Sequence, residues 1–278
     1  MVEQSVMDHQ DQVSSAAPMT ADDLAALGRA VQLLEHPGLA ARLTNMVGKP
    51  IDLIGQALPE AASKAISAAT SKGLEVALKV ALRTMQRKPQ AGSELLHKAL
   101  AAASGAAGGA FGLATLPVEL PVSTVIMLRS IADIARGEGE DLTDPEAALS
   151  CIQVFALGGR SDADDASRRG YFAVRAMLAR TVTEAARYVA ERGVATEGAP
   201  VLVRFVTQVA ARFGVVVTQK VAAQALPVIG ALGGAAVNYA FIEHFQDVAR
   251  GHFTVRRLER VYGKELVQSE YERLAQSS

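Results

Sequence analysis

Between Ala99 and Val118 the chain carries no charged side chain, and the stretch between Lys220 and Glu243 repeats that condition. Both runs are notched by glycine: Gly105, Gly108, Gly109 and Gly112 in the first, Gly230, Gly233 and Gly234 in the second. Neither shows the period-two alternation of a strand. Both read as helices that must be shielded from water by other helices or by lipid. Gly105 with Gly109, Gly108 with Gly112, and Gly230 with Gly234 stand one helical turn apart, so each pair opens a helix face to close backbone approach. Half the residues are hydrophobic, yet only 5% are aromatic and there is no Trp. Helices so poor in bulky side chains pack with their backbones near one another. The fold class is therefore all-α: a multi-helix bundle with glycine-rich central helices.

The punctuation of the other segments agrees. Thr20 with Asp23 caps a helix bearing Leu24, Leu27, Val31 and Leu34, and His36-Pro37-Gly38 ends it. Pro59 opens a long helix to about residue 88. A third helix runs from Pro121 to Gly137, then an acidic loop over 138–144, read as a solvated turn. Thr143 and Glu146 are expected to form a capping box. Helices over 170–192, 200–225, 228–250 and 253–275 complete the pattern. Residues 1–18 read as a polar tail without a secretory signal, and 19–278 as one helical domain, with 160–170 the place for a subdomain boundary. The expected compartment is the cytoplasm.

Lys and Arg total 28 and Asp and Glu 29, so no global field draws the chain to nucleic acid. Charge is patterned locally instead. At about 100° per residue, Lys72, Lys79, Arg83 and Arg87 cluster within about 80° of one another, opposite the apolar stripe of their helix. Such a face suits an anionic membrane or lipid at the inner face of the membrane, and equally the solvated side of a bundle helix. Asp133-Ile134-Ala135-Arg136-Gly137 returns as Asp247-Val248-Ala249-Arg250-Gly251. If the echo marks a pseudo-twofold, Arg129 and Glu243 are equivalent positions of opposite charge. Arg129, Asp133, Glu243 and Asp247 then form one polar cluster.

Further motifs carry a family resemblance. Gly108-Gly109-Ala110-Phe111-Gly112, Leu116-Pro117-Val118-Glu119-Leu120-Pro121 and Met127-Leu128-Arg129-Ser130-Ile131-Ala132-Asp133-Ile134-Ala135-Arg136 resemble the EcsC protein family. So do Val154-Phe155-Ala156-Leu157-Gly158-Gly159, Gly170-Tyr171-Phe172-Ala173-Val174-Arg175 and the stretch from Leu226-Pro227-Val228-Ile229-Gly230-Ala231 to His252-Phe253. The resemblance covers about residues 60–265 and implies a helical bacterial protein without an assigned activity. It also implies a distant likeness to the glycine-rich helical regions of some membrane-associated GTPases, and hence a membrane role.

Catalytic signatures are absent from the sequence: it has no nucleophile elbow, zinc-protease helix, phosphate loop or dinucleotide fingerprint. Cys151, the single cysteine, permits no disulfide within the chain and reads as a small core residue. The one combination with catalytic or metal-ligand character is Glu119, Asp133, His244 and Asp247, acid and imidazole groups on helical faces, as a metal-dependent hydrolase needs. Against it, Glu243 and His244 diverge by about 100° on their helix. The leading expectation is a non-enzymatic protein, with no cofactor and no resident metal, that meets lipid through the basic face and glycine-rich segments. A soluble homo-oligomeric interaction module is the alternative.

Overall fold

The computed structural model describes residues 18–35, 38–84, 116–159, 170–193, 199–225 and 230–277. Ten helices and no strands are found among them: α1 (Ala21–Glu35), α2 (Leu39–Val47), α3 (Ile51–Gln56), α4 (Glu60–Thr84), α5 (Leu116–Gly137), α6 (Pro145–Leu157), α7 (Gly170–Arg192), α8 (Pro200–Gln224), α9 (Gly230–Tyr262) and α10 (Lys264–Ser277). Gly105, Gly108, Gly109, Gly112, Met85 and Arg87 lie outside the described residues, as does the tail up to Ala17.

Two helices organise the packed bundle. α8 touches α2, α3, α4, α6, α7 and α9, and α9 touches α1, α2, α5, α6, α8 and α10. Where they meet α6, Phe155, Phe213, Phe241 and Phe245 are fully buried. Their ring centroids lie 4.9 Å apart for Phe155–Phe213 and 5.3 Å for both Phe155–Phe245 and Phe241–Phe245. Tilted and edge-on ring pairs of this kind add about 0.5–1.5 kcal/mol each beyond the area they bury. Val215-Val216-Val217, a β-branched cluster, sits in mid-α8 with Val216 and Val217 buried. Packing overrides its strand preference.

Local signals hold where a side chain satisfies an end. Thr20 Oγ1 accepts from the Asp23 amide at 3.2 Å, capping α1 as expected. Gly48, at φ 66°, closes α2 in the left-handed region. At α6 the cap is displaced by one residue: Asp144, not Thr143, accepts from the Glu146 amide at 3.0 Å, and Pro145 takes the first helical position. Thr143 instead donates to Asp141. The other end of α6 is finished from outside. Arg212 of α8 donates to the carbonyls of Ala156 (3.1 Å) and Gly159 (2.5 Å), a cation placed where a helix C-terminus is negative.

Two boundaries differ from expectation. α5 begins at Leu116 rather than Pro121, so it runs through Pro121 despite the backbone bond that proline removes. α9 continues through Gly251 and ends only at Gly263, whose φ of 87° turns the chain into α10. The echo pentapeptides therefore share a contact but not a role. Asp133–Arg136 and Asp247–Arg250 form the same ion pair, each 2.9 Å long. Gly137 is the last residue of α5, whereas Gly251 lies inside α9 at its crossing with α1. A Cβ on Gly251 would lie 2.6 Å from Leu34 Cγ and 3.2 Å from the Ala30 carbonyl, but one on Gly137 meets nothing within 4 Å.

Gly251→Ala is accordingly expected to destabilise the fold by about 1–3 kcal/mol through overpacking. Gly137→Ala is expected to be neutral or slightly stabilising, because alanine loses less backbone freedom in a helix. Equal denaturation midpoints for the two variants would contradict this account of the α1–α9 crossing.

Candidate functional site

The deepest charge among the described residues is Lys220, on α8. It is 0% exposed and its Nζ donates to Glu119 at 2.7 Å, across 101 residues of sequence. The same ammonium lies 4.9 Å from the Phe241 ring centroid, toward the negative face of an aromatic quadrupole. Burial pulls the Lys220 ammonium below its ordinary value, and the Glu119 carboxylate opposes that pull. The pair pins α5 to α8 in one register, since any slip would leave a buried charge alone. Glu119 directly follows the first charge-free run. It is a buried member of α5, and its partner lies at the edge of the other charge-free run.

A second polar assembly occupies the C-terminal half of α9. Arg256 holds Glu140 with two hydrogen bonds of 2.8 and 3.1 Å, and Arg260 reaches the same carboxylate. Arg257 bridges Glu138 (2.8 Å) and Asp23 of α1 (3.0 Å). The acidic loop is thus a docked element and not a solvated turn. Sequence spacing could not show this, because its three arginines lie more than a hundred residues away. Beneath the loop, Arg175 of α7 forms a fork with Glu259, both contacts 2.6 Å. The Tyr171 hydroxyl lies 2.8 Å from His252 Nδ1. Burial pushes the Tyr171 phenol up to about 12. His252 is fully buried, and burial together with Arg175 and Arg256 keeps its imidazole well below the usual histidine range. Glu140 moves the other way. Burial alone would raise its carboxyl, but Arg256 and Arg260 outweigh that and hold it below its ordinary value.

The expected catalytic or metal-binding set does not assemble. Glu119 is committed to Lys220, Asp133 to Arg136, and Asp247 to Arg42 at 2.8 Å. His244 Nε2 lies 2.9 Å from the Gly158 carbonyl at the end of α6. Among the described residues no three His, Cys, Asp or Glu side chains converge as metal ligands. Glu119, Asp133, His244 and Asp247 are thus each engaged separately and do not share one donor set. The expected cluster of Arg129, Asp133, Glu243 and Asp247 is also corrected. Arg129 is exposed, no ion pair joins it to Glu243 among the described residues, and Arg42 of α2 meets Asp247 and approaches Glu243 at 3.9 Å. Cys151 is buried, and burial pushes its thiol up, away from the reactive thiolate. Gly234 is buried and Gly233 half-buried within α9.

Outside the core, α4 keeps a basic edge. Lys72, Lys79 and Arg83 are exposed, while Ile66, Leu74, Ala77, Leu78, Ala81 and Leu82 are buried on its other side. α8 alone among the described helices is long and apolar enough, by length and composition, to cross a membrane. Core helices of compact proteins pass the same test, and α8 packs against six neighbours while its Lys220 and Arg212 bond inward.

Among the described residues the fold is a packed all-α helical bundle whose interior charges tie helices together. Within that class, the EcsC family model matches residues 23–258, and the chain belongs to the EcsC protein family. No curated protein and no solved structure matches it.

Two measurements probe the buried charges. Lys220→Met or Glu119→Leu alone is expected to cost about 3–5 kcal/mol in denaturant unfolding, because each strands one buried ion. The double variant should recover most of that loss. On acidification the unfolded chain takes up the His252 proton near its ordinary value of 6.5, before the folded chain does. Stability should therefore fall as the pH drops below about 6.5, whereas the Glu140 contribution disappears only below about 4.5. His252→Asn, which keeps an acceptor for Tyr171, should flatten the upper part of that slope in pH-dependent thermal melts.

Proposed function

We propose that this EcsC family protein is a non-enzymatic helical scaffold that docks on anionic membrane surfaces through the outer edge of α4. The observation carrying this reading is the stripe of exposed Lys72, Lys79 and Arg83 along a helix whose opposite side is sealed in the core. At about 100° per residue these three positions fall within about 40° of one another. Lys72 also contacts Glu75 at 3.4 Å, but with both side chains half or more exposed the pair is worth little against competition from headgroups. The Lys220–Glu119, Arg175–Glu259 and Arg42–Asp247 pairs support a structural role, since each joins two helices. The inner leaflet, with its anionic lipids, is the surface that suits such a stripe from the cytoplasmic side.

Each Lys or Arg near an anionic bilayer contributes about 1 kcal/mol, so three together are worth roughly a hundredfold in binding. The protein is expected to float with vesicles containing phosphatidylserine at low salt and to separate from them at high salt. Lys72→Glu, Lys79→Glu and Arg83→Glu combined should abolish flotation without lowering the melting temperature. A wild-type chain that fails to float under either salt condition ends the proposal.

A further inference from the structure

Beside the basic edge of α4 lies an apolar one on α5. Val118 is 73% exposed and Val122 48%, one helical turn apart. Both stand opposite Leu116, Leu120, Ser123 and Met127, which α5 buries. Pro117 is exposed and Pro121 half-buried in the same turns.

The two edges adjoin because α4 and α5 cross closely at Gly73. A Cβ there would lie 3.0 Å from Thr124 Oγ1 and 3.6 Å from both the Leu120 carbonyl and Pro121 Cα. Lys72 and Val122 are the next residues along from that crossing on their respective helices. The helical wheel shows which side they share. On α4, half-buried Val76 and Val80 lie between the Gly73 stripe and the exposed Lys72, Lys79 and Arg83. On α5, half-buried Pro121 and Val125 lie between the Leu120–Thr124 stripe and the exposed valines. Both helices turn their remaining sides into one core, so their outer edges form a single surface. Cations flank it and two branched aliphatic side chains stand clear of it.

From this juxtaposition we infer that Val118 and Val122 are the residues that enter the acyl region when the protein sits on an anionic phospholipid bilayer, with Lys72, Lys79 and Arg83 at the headgroups beside them. The inference rests on the membrane reading above and names what penetrates. Charge complementarity selects lipid as the occupant: an anionic interface attracts the exposed cations while its hydrocarbon receives the valines, the arrangement of interfacial helices. Two valines alone would bind weakly, and three cations alone would be screened by salt. Together they give attachment that takes more salt to release than the cations alone would need.

The absence of Trp from the chain makes the test direct. Val118→Trp and Val122→Trp each introduce a unique fluorophore, and Met177→Trp is the control. Met177 is 52% exposed but lies on α7, which packs on α6 and α8. Each variant is mixed with phosphatidylserine vesicles, with and without lipids brominated on the acyl chain, and flotation is measured on the same samples. The expected result is a blue shift and bromine quenching for Trp at 118 and 122, and neither change for Trp at 177. Flotation without quenching at 118 and 122 overturns the inference and leaves headgroup docking through α4 intact. Failure of all variants and the wild type to float overturns both. Emission already blue-shifted without vesicles, moving to the red on dilution, would show a second copy of the chain covering the valines and also overturns the inference. Val118→Asp with Val122→Asp gives the converse readout: flotation at low salt persists but is lost at a lower salt concentration than for the wild type.

Discussion

The charged length of α9 is the constraint on which the arrangement depends. Over four turns it presents Asp247, Arg256, Arg257, Glu259 and Arg260, and their partners come from α1, α2, α7 and the acidic loop. Several of these groups are largely out of water, so each needs its own counter-ion in place. Apolar packing tolerates sliding by a fraction of a turn far better than such a set does. The hydrophobic layers supply the drive to collapse, and α9 determines which collapsed arrangement leaves no carboxylate or guanidinium stranded.

Helical class, the capped start of α1 and the buried side of α4 were all legible in the sequence, because each depends on residues within a few positions of one another. What could not be read was anything settled across a hundred residues. The acidic loop looked solvated because Arg256, Arg257 and Arg260 are remote in sequence. Gly251 looked like a helix end because its pentapeptide matches the one that ends at Gly137, yet glycine serves equally to admit a neighbouring helix. Lys220 marked the edge of an uncharged run and drew no notice. One signal did exist: a lone lysine near the end of a long apolar helix, and a lone glutamate between two prolines in another, are charges in want of a partner.

For the candidate sites the balance is similar. The exposed stripe of α4 followed from periodicity alone. The grouping of Glu119, Asp133, His244 and Asp247 did not survive, because residue type indicates which chemistry is available and not where each side chain is already engaged. Val118 ends the first charge-free run and Val122 follows Glu119, and nothing in either segment marks them as outward-facing. Only the orientation of α5 separates the valines facing out from the leucines facing in.

The clasp between α1 and the last two helices has a consequence for how the chain is made. Asp23 is held by Arg257 and Tyr262, and Glu35 by Tyr271, contacts that span more than 230 residues. As the polypeptide leaves the ribosome, α1 emerges first and waits, its apolar stripe uncovered, until α9 and α10 have been synthesised. Long-range closures of this kind are entropically late events. During translation the exposed side of α1 is thus the surface most in need of a chaperone, and a premature stop that removes α9 and α10 leaves that helix without its mate.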